Sequence, residues 1–171
     1  MFLETQRLIL REYTDDDFDC LFEILSDEET MCHYPRPYDA AGVRRWIAWS
    51  KDNYSKYGFG LWAVVLKGTE QFIGDCGITM QNIDGSILPE LGYHIHKDHW
   101  RKGYAKEAAQ AVRDWFFTHT DFAALYSYTK NTNIASIATA AAVGMKKDRE
   151  YTDSTGEETF VSALLRADWK G

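Results

Sequence analysis

The spacing of apolar positions changes several times along this chain, and each change predicts a different element. Arg7-Leu8-Ile9-Leu10-Arg11 is a short apolar run closed by charge at both ends, which predicts a strand. Thr14 with Asp17 three residues later has the form of a capping box. Phe18, Leu21, Phe22 and Leu25 then recur at i, i+3, i+4 and i+7, so a first helix is expected. Pro35 and Pro37 interrupt the chain. Asp39 is placed to cap a second helix, with Val43, Trp46, Ile47, Ser50 and Tyr54 near one face and an end near Gly58.

Beyond Gly58 the period shortens. Leu61–Leu66, a turn at Lys67–Glu70 and Phe72–Ile78 predict a hairpin, and a second turn between Asn82 and Ser86 leads to a third strand, Glu90–Ile95. That strand runs into a basic loop. Ala105, Ala108, Ala109, Val112, Trp115 and Phe116 then keep helical spacing over several turns. Leu125–Tyr128 predicts another strand. Asn133 opens an alanine-rich helix through Val143, with Gly144 suited to the left-handed position past its end. Two strands near Met145–Tyr151 and Thr159–Leu165 follow. The sum is a mixed α/β fold of about seven strands and four helices. The strand, helix, strand passage from residue 90 to 128 predicts one parallel crossover in an otherwise antiparallel sheet. No repeat or low-complexity linker divides residues 1–171, so a single domain is expected.

Composition narrows the function classes. A formal net charge of −7 without a Lys/Arg-rich run lacks the footprint of a nucleic-acid binder. Acidity suits a cationic acceptor, although many proteins that bind none are as acidic. Cys20, Cys32 and Cys76 are odd in number and show no Cys-x-x-Cys spacing, which predicts a reducing compartment rather than a disulfide framework or a zinc ribbon. The first residues carry no positive stretch followed by an apolar one, and no apolar run reaches membrane-spanning length. A soluble, cytoplasmic protein with neither membrane nor nucleic acid as partner is expected.

Chemistry concentrates in Lys97–Glu107. A strand ends, Gly103 and Ala105 lie two apart, and a long helix starts at once. Small residues let a ligand approach the backbone, and a helix start presents unpaired N–H groups with partial positive charge, which favour phosphate. Arg101, Lys102 and Lys106 add full positive charge inside an acidic chain. The same residues also fit a plain turn with solvated cations. His94, His96 and His99 do not predict a metal centre, because no carboxylate or cysteine set stands at ligand spacing around them. Cys76 has no paired base and is expected in the core.

Three motifs in register carry a resemblance that covers almost the whole chain. They are Glu90-Leu91-Gly92-Tyr93, the loop from Trp100 to Ala108, and Asn133-Ile134-Ala135-Ser136 running to Val143-Gly144-Met145. Together they resemble the GNAT superfamily of N-acetyltransferases. The opening Glu4-Thr5-Gln6-Arg7-Leu8-Ile9-Leu10-Arg11 is similar to its ribosomal-protein N-terminal acetyltransferase branch, the RimJ/RimL-like proteins. The resemblance implies the GNAT acyl-CoA N-acyltransferase fold, with a twisted central sheet splayed at the cofactor site. It also implies acetyl-CoA as cosubstrate and a primary amine as acceptor, either a protein or peptide N-terminus or a small molecule.

The resemblance further implies that Trp100, Arg101, Lys102, Gly103, Tyr104 and Ala105 wrap the pyrophosphate of coenzyme A. Tyr93, His94 and Ile95, following a bulge in the central strand, would pair with the pantetheine arm, which Asn133 would also bind. Trp100 departs from the family's usual Gln or Arg at that place. An alkylamine with pKa near about 10.4 is protonated at neutral pH, so a base is required. Glu90 is implied in that role, with Asp75 as a weaker candidate. The family's usual tyrosine acid is replaced by Ala140, and Ser136 resembles the serine that stabilises the leaving sulfur in the ribosomal-protein branch. The alternatives are a Glu90 that only aids solubility and a Ser136 that only makes a local backbone bond. Residues Met31–Tyr38 are implied in acceptor selection. A monomer or a homodimer is expected. The rival function is a non-catalytic module that binds acyl-CoA as a sensor or docking domain.

Overall fold

The computed structural model of the protein describes residues 2–171. Eight strands form one sheet: β1 (Phe2–Glu4), β2 (Leu8–Arg11), β3 (Leu61–Leu66), β4 (Phe72–Ile83), β5 (Ser86–Ile95), β6 (Ala124–Lys130), β7 (Lys146–Thr152) and β8 (Glu158–Leu165). Their spatial order is β1-β2-β3-β4-β5-β6-β8-β7, and only the β5–β6 pair is parallel. Four α-helices accompany them: α1 (Phe18–Leu25), α2 (Ala40–Tyr57), α3 (Tyr104–His119) and α4 (Ile134–Ala142). No helix among the described residues is long and apolar enough to cross a membrane.

The predicted punctuation is present in atomic detail. Asp39 caps α2 by accepting from the Gly42 N–H, and Gly58 ends it at φ +76°. Asn133 caps α4 by accepting from the Ser136 N–H, and Gly144 follows at φ +92°. Thr14 and Asp17 form the capping box of a single 3-10 turn that leads into α1. The turn expected across Asn82–Ser86 tightens to Asp84 and Gly85, both left-handed at φ +52° and +81°. A two-residue Asp-Gly loop of that kind matches strand twist and lets β4 and β5 run longer than their apolar runs alone suggest. The eighth strand, β1, pairs Leu3 with Leu10. Three residues are too few to show a period, so it was not legible.

Helices cover both faces of the sheet. On one face Ala108, Ala109, Val112 and Phe116 of α3 bury against Leu8, Leu10, Val64, Ile78 and Leu91. On the other, Leu21, Ile24 and Leu25 of α1 and Val43 and Ile47 of α2 bury against Leu61, Ala63 and Val65. Successive strand residues alternate faces. Leu91, Tyr93 and Ile95 of β5 therefore look toward α3, while Glu90, Gly92 and His94 look toward α2 and the loop before it.

The parallel pairing of β5 with β6 is confined to Glu90 opposite Tyr126. β6 is instead held along seven residues by β8, from Ala124 opposite Leu165 to Lys130 opposite Thr159. Past Glu90 the two strands diverge, and the sheet opens. The expected bulge in β5 is a correction: its register against β4 is unbroken from Gly74 opposite Ile95 to Ile83 opposite Ser86. With β6 paired to β8 along its length and to β5 at Glu90, the sheet opens beside β5 without an extra residue in that strand.

Candidate functional site

At the end of β5 the chain makes a 3-10 turn at Lys97–His99 and reaches α3 through Gly103. Gly103 is left-handed at φ +80°, as is Arg101 at +59°. A side chain at Arg101 costs energy in that region, so the surrounding loop must impose it. No side chain caps α3 at Gly103. The first N–H groups of a helix have no partner within it, so this start carries bare donors and partial positive charge. Among the described residues Arg101 and Lys106 have no ion-pair partner, whereas Lys102 donates to the Asp98 carbonyl at 2.8 Å. Trp100 turns its indole back, donating to the Ile95 carbonyl at 2.6 Å. One of the two lone pairs of that carbonyl is thereby used, and the other remains on the expected pairing surface of Tyr93, His94 and Ile95.

The opening segment holds this helix start in place. Glu107 accepts from the Thr5 hydroxyl at 2.6 Å and from the Arg7 backbone and Nε at 2.8 and 2.6 Å. Arg7 also donates to the Lys102 carbonyl at 2.9 Å and lies 4.5 Å over the Tyr104 ring. Burial alone would push the Glu107 carboxyl up, but the Thr5 and Arg7 donors prevail and hold it below its ordinary value. A cavity of about 470 Å³ opens beside this cluster, with Arg7, Gly103, Lys106 and Gln110 on its wall. Thr5 and Arg7 belong to the opening motif, and no local pattern in the sequence assigns them this role. Arg7→Ala releases two anchors of the loop, and since Arg7 is half-exposed each counts for little, about 1 kcal/mol together. The expected outcome is coenzyme A affinity about fivefold weaker by calorimetry, with turnover at saturation retained.

Within the gap beside β5, Glu90 is buried at 9% exposure. Burial pushes its carboxyl up to about 8; the Thr79 hydroxyl at 3.4 Å pulls slightly down, and the charge of Asp75 pushes up. Gly92 makes room for it, since a Cβ there would stand 3.1 Å from Glu90 Oε2. A carboxyl held near neutrality in pH is suited to take and return protons. The reading of Glu90 as an exposed, solubilising carboxylate is therefore a poor fit.

His94 and Asp75 sit opposite each other on β5 and β4, on the same face as Glu90. Asp75 is fully buried and accepts from the Tyr13 hydroxyl at 2.7 Å, Trp46 Nε1 at 3.1 Å and the His94 backbone N–H at 3.1 Å, with His94 Nδ1 at 2.8 Å. His94 Nε2 meets the Tyr34 hydroxyl at 2.7 Å. Tyr34 lies in the loop expected to select the acceptor. Both polar ends of His94 are engaged internally, which removes it from the predicted coenzyme contacts through its own N–H. The partners come from positions 13, 34, 46 and 75, so only the register of the folded sheet unites them.

On the opposite face Tyr93 donates to the Ser136 carbonyl at 2.9 Å and lies 3.2 Å from the Ser136 hydroxyl. Ser136 thus meets β5 through the Tyr93 side chain, and its hydroxyl contact is to Tyr93 rather than to the local backbone. Asn133 is largely spent: its Oδ1 takes the Ser136 N–H at 3.1 Å and its Nδ2 donates to Thr129 at 3.1 Å, which leaves one N–H for a ligand. Cys76 is fully buried, and burial pushes its thiol well up, as befits a core residue.

A family model described as acetyltransferase (GNAT) domain matches residues 7–146. YkkB of Bacillus subtilis strain 168, an uncharacterised protein, is 37% identical over 144 residues, which span 84% of this chain and 84% of its own. A solved acetyltransferase from Agrobacterium tumefaciens strain C58 is 28% identical and superimposes with a TM-score of 0.83 over 96% of this chain and 94% of its own. RimL, a ribosomal L7/L12 α-N-protein acetyltransferase solved in complex with coenzyme A, superimposes with a TM-score of 0.80 over 96% and 98% at 13% identity. At that identity the likeness is one of fold.

Proposed function

The chain belongs to the GNAT acetyltransferase family, and from that membership we propose that it acts as one domain in the cytoplasm to move acetyl from acetyl-CoA directly to a primary amine. The family uses acetyl-CoA, and the transferase class follows from it. The finer assignments rest on this chain's own residues. The backbone from Arg101 to Ala105, with the unpaired Arg101 and Lys106 cations, binds the coenzyme diphosphate at the start of α3. The gap between β5 and β6 receives the pantetheine arm, with Tyr93 and the remaining Asn133 N–H along it. Acetyl-CoA supplies an activated thioester.

Glu90 takes a proton from the ammonium group of the acceptor, so that the nitrogen lone pair can attack the thioester carbonyl. A primary ammonium loses two protons on becoming an amide. One ends on the departing sulfur and one reaches solvent. Ser136, with Tyr93 behind it, offers a hydrogen bond to the sulfur from the face opposite Glu90. Thiol departure needs little further help, because a thiol near pKa about 8.5 is a fair leaving group. The observation that carries this proposal is the uncapped α3 start, with its free cations, leading from the strand that bears Glu90.

The test is release of coenzyme A thiol from acetyl-CoA across a panel of Ser- and Ala-initiated peptides and small alkylamines. Turnover with primary amines of at least one class is expected, and the class preferred identifies the acceptor. Tight coenzyme binding by calorimetry with no turnover on any amine would sink the enzyme and leave the binding-module alternative.

A further inference from the structure

Asp75, His94 and Tyr34 form one hydrogen-bonded chain, in which the tautomer of His94 sets the direction of each proton. Asp75 accepts from the Tyr13 hydroxyl and from two groups that can only donate, the Trp46 indole and the His94 backbone N–H. The imidazole Nδ1, 2.8 Å from the same carboxylate, then carries its proton toward it. With the ring in that tautomer and uncharged, Nε2 keeps only a lone pair. Its partner at 2.7 Å, the Tyr34 hydroxyl, is then the donor. The proton of Tyr34 is committed inward, and its oxygen is left with acceptor capacity alone.

That oxygen belongs to the same face as Glu90. His94 and Glu90 flank Gly92 on β5, and the Glu90 carboxyl lies over Gly92, where a Cβ would stand 3.1 Å from its Oε2. The charge of Glu90 is the largest electrostatic influence on the Tyr34 phenol after burial itself, and it also acts on Tyr128. Aromatic rings line the approach: Tyr34 and Trp46 each lie 5.5 Å from the His94 ring, and Tyr38 lies 5.4 Å from Trp46. Aromatic faces and carboxylate together favour a cation.

We propose that Tyr34 is a second contact for the acceptor: its hydroxyl oxygen accepts one N–H of a primary ammonium while Glu90 accepts another, with His94 and Asp75 as the positioning residues that keep Tyr34 an acceptor. This rests on the acetyl-transfer proposal for Glu90. It adds a selection rule, because a tertiary ammonium has only one N–H and cannot satisfy both acceptors.

The experiment uses the full chain with propylamine as acceptor. Tyr34→Phe is expected to raise KM for propylamine about tenfold, with KM for acetyl-CoA and kcat little changed. Asp75→Asn should produce a similar rise, and the double variant should be no worse than the worse single, since both act through one oxygen. Because Asp75→Asn strips a buried anchor and can unfold, nitrogen NMR of the wild-type His94 ring supplies a second readout. A protonated Nδ1 and a lone pair on Nε2 are expected, and propylammonium added without coenzyme should shift the Nε2 resonance in wild type but not in Tyr34→Phe. The opposite tautomer, an Nε2 signal indifferent to propylammonium, or an unchanged propylamine KM in Tyr34→Phe each overturns the proposal. An NMR response without turnover instead upholds the ammonium subsite and removes the acetyl-transfer proposal.

Discussion

Glu90→Gln is expected to lower kcat by about 10²- to 10⁴-fold, the span typical of a lost general base, while coenzyme A affinity stays within about twofold. The magnitude follows from proton matching. An ordinary glutamate lies about six pKa units below an alkylammonium near about 10.4, so moving the proton costs roughly 8 kcal/mol. With Glu90 pushed up to about 8 by burial, the same transfer costs roughly 3 kcal/mol. The drawback is occupancy: at pH 7 only about one carboxyl in ten is ionised. Wild-type kcat/KM is therefore expected to rise with pH and level off above about 8. Loss of that inflection in the Gln variant is the mark of the base, and a retained inflection would assign it elsewhere.

Stability gives the same variant an opposite sign. The folded pKa of Glu90 is raised above the ordinary 4.5, so its contribution is present below that value and is lost as pH rises through about 8. The full loss is roughly 5 kcal/mol as an upper bound. Gln carries no charge and avoids it. The melting temperature of Glu90→Gln should exceed that of wild type by more at pH 9 than at pH 6. A protein that gains stability while losing turnover has not lost activity by unfolding.

The elements were legible where a local rule fixes them. Asp39, Gly58, Asn133 and Gly144 punctuate α2 and α4 through bonds spanning four residues or fewer, and the Asp84-Gly85 turn is set by its own two residues. The helical spacing of Ala105, Ala108, Ala109, Val112, Trp115 and Phe116 announced α3. What escaped was assembled across the chain. Glu107 joins Thr5 and Arg7 over about a hundred positions, and no period in either segment points to the other. Asp75 meets His94 because the β4–β5 register sets them opposite, and a slip of one residue would have sent His94 to the α3 face. Glu90 could be named from its motif, but not its raised pKa, which depends on burial and on Asp75.

Gly103→Asp is expected to weaken coenzyme A binding by about a hundredfold or more while the fold persists. At φ +80° any side chain pays for a left-handed backbone, at about 1 kcal/mol, and aspartate tolerates that region better than most. The added Cβ meets nothing closer than Arg7 Nη2 at 3.4 Å, the end of a flexible chain that would pair with the new carboxylate. The carboxylate itself has an obvious seat. Asp39 and Asn133 each accept the N–H three residues ahead from a backbone at negative φ, whereas position 103 is left-handed, so an aspartate there would approach the bare N–H groups of α3 by a different geometry. It would occupy the donors proposed for the diphosphate and repel what remains of it. Gly103→Ala separates the two costs, since it bears the backbone strain without the charge and should lose about fivefold. The gap between the Asp and Ala variants should shrink as salt rises toward 1 M, because a charge exposed at a helix end is screened. Equal affinity for wild type and Gly103→Asp would place the diphosphate elsewhere and leave the α3 start a plain turn.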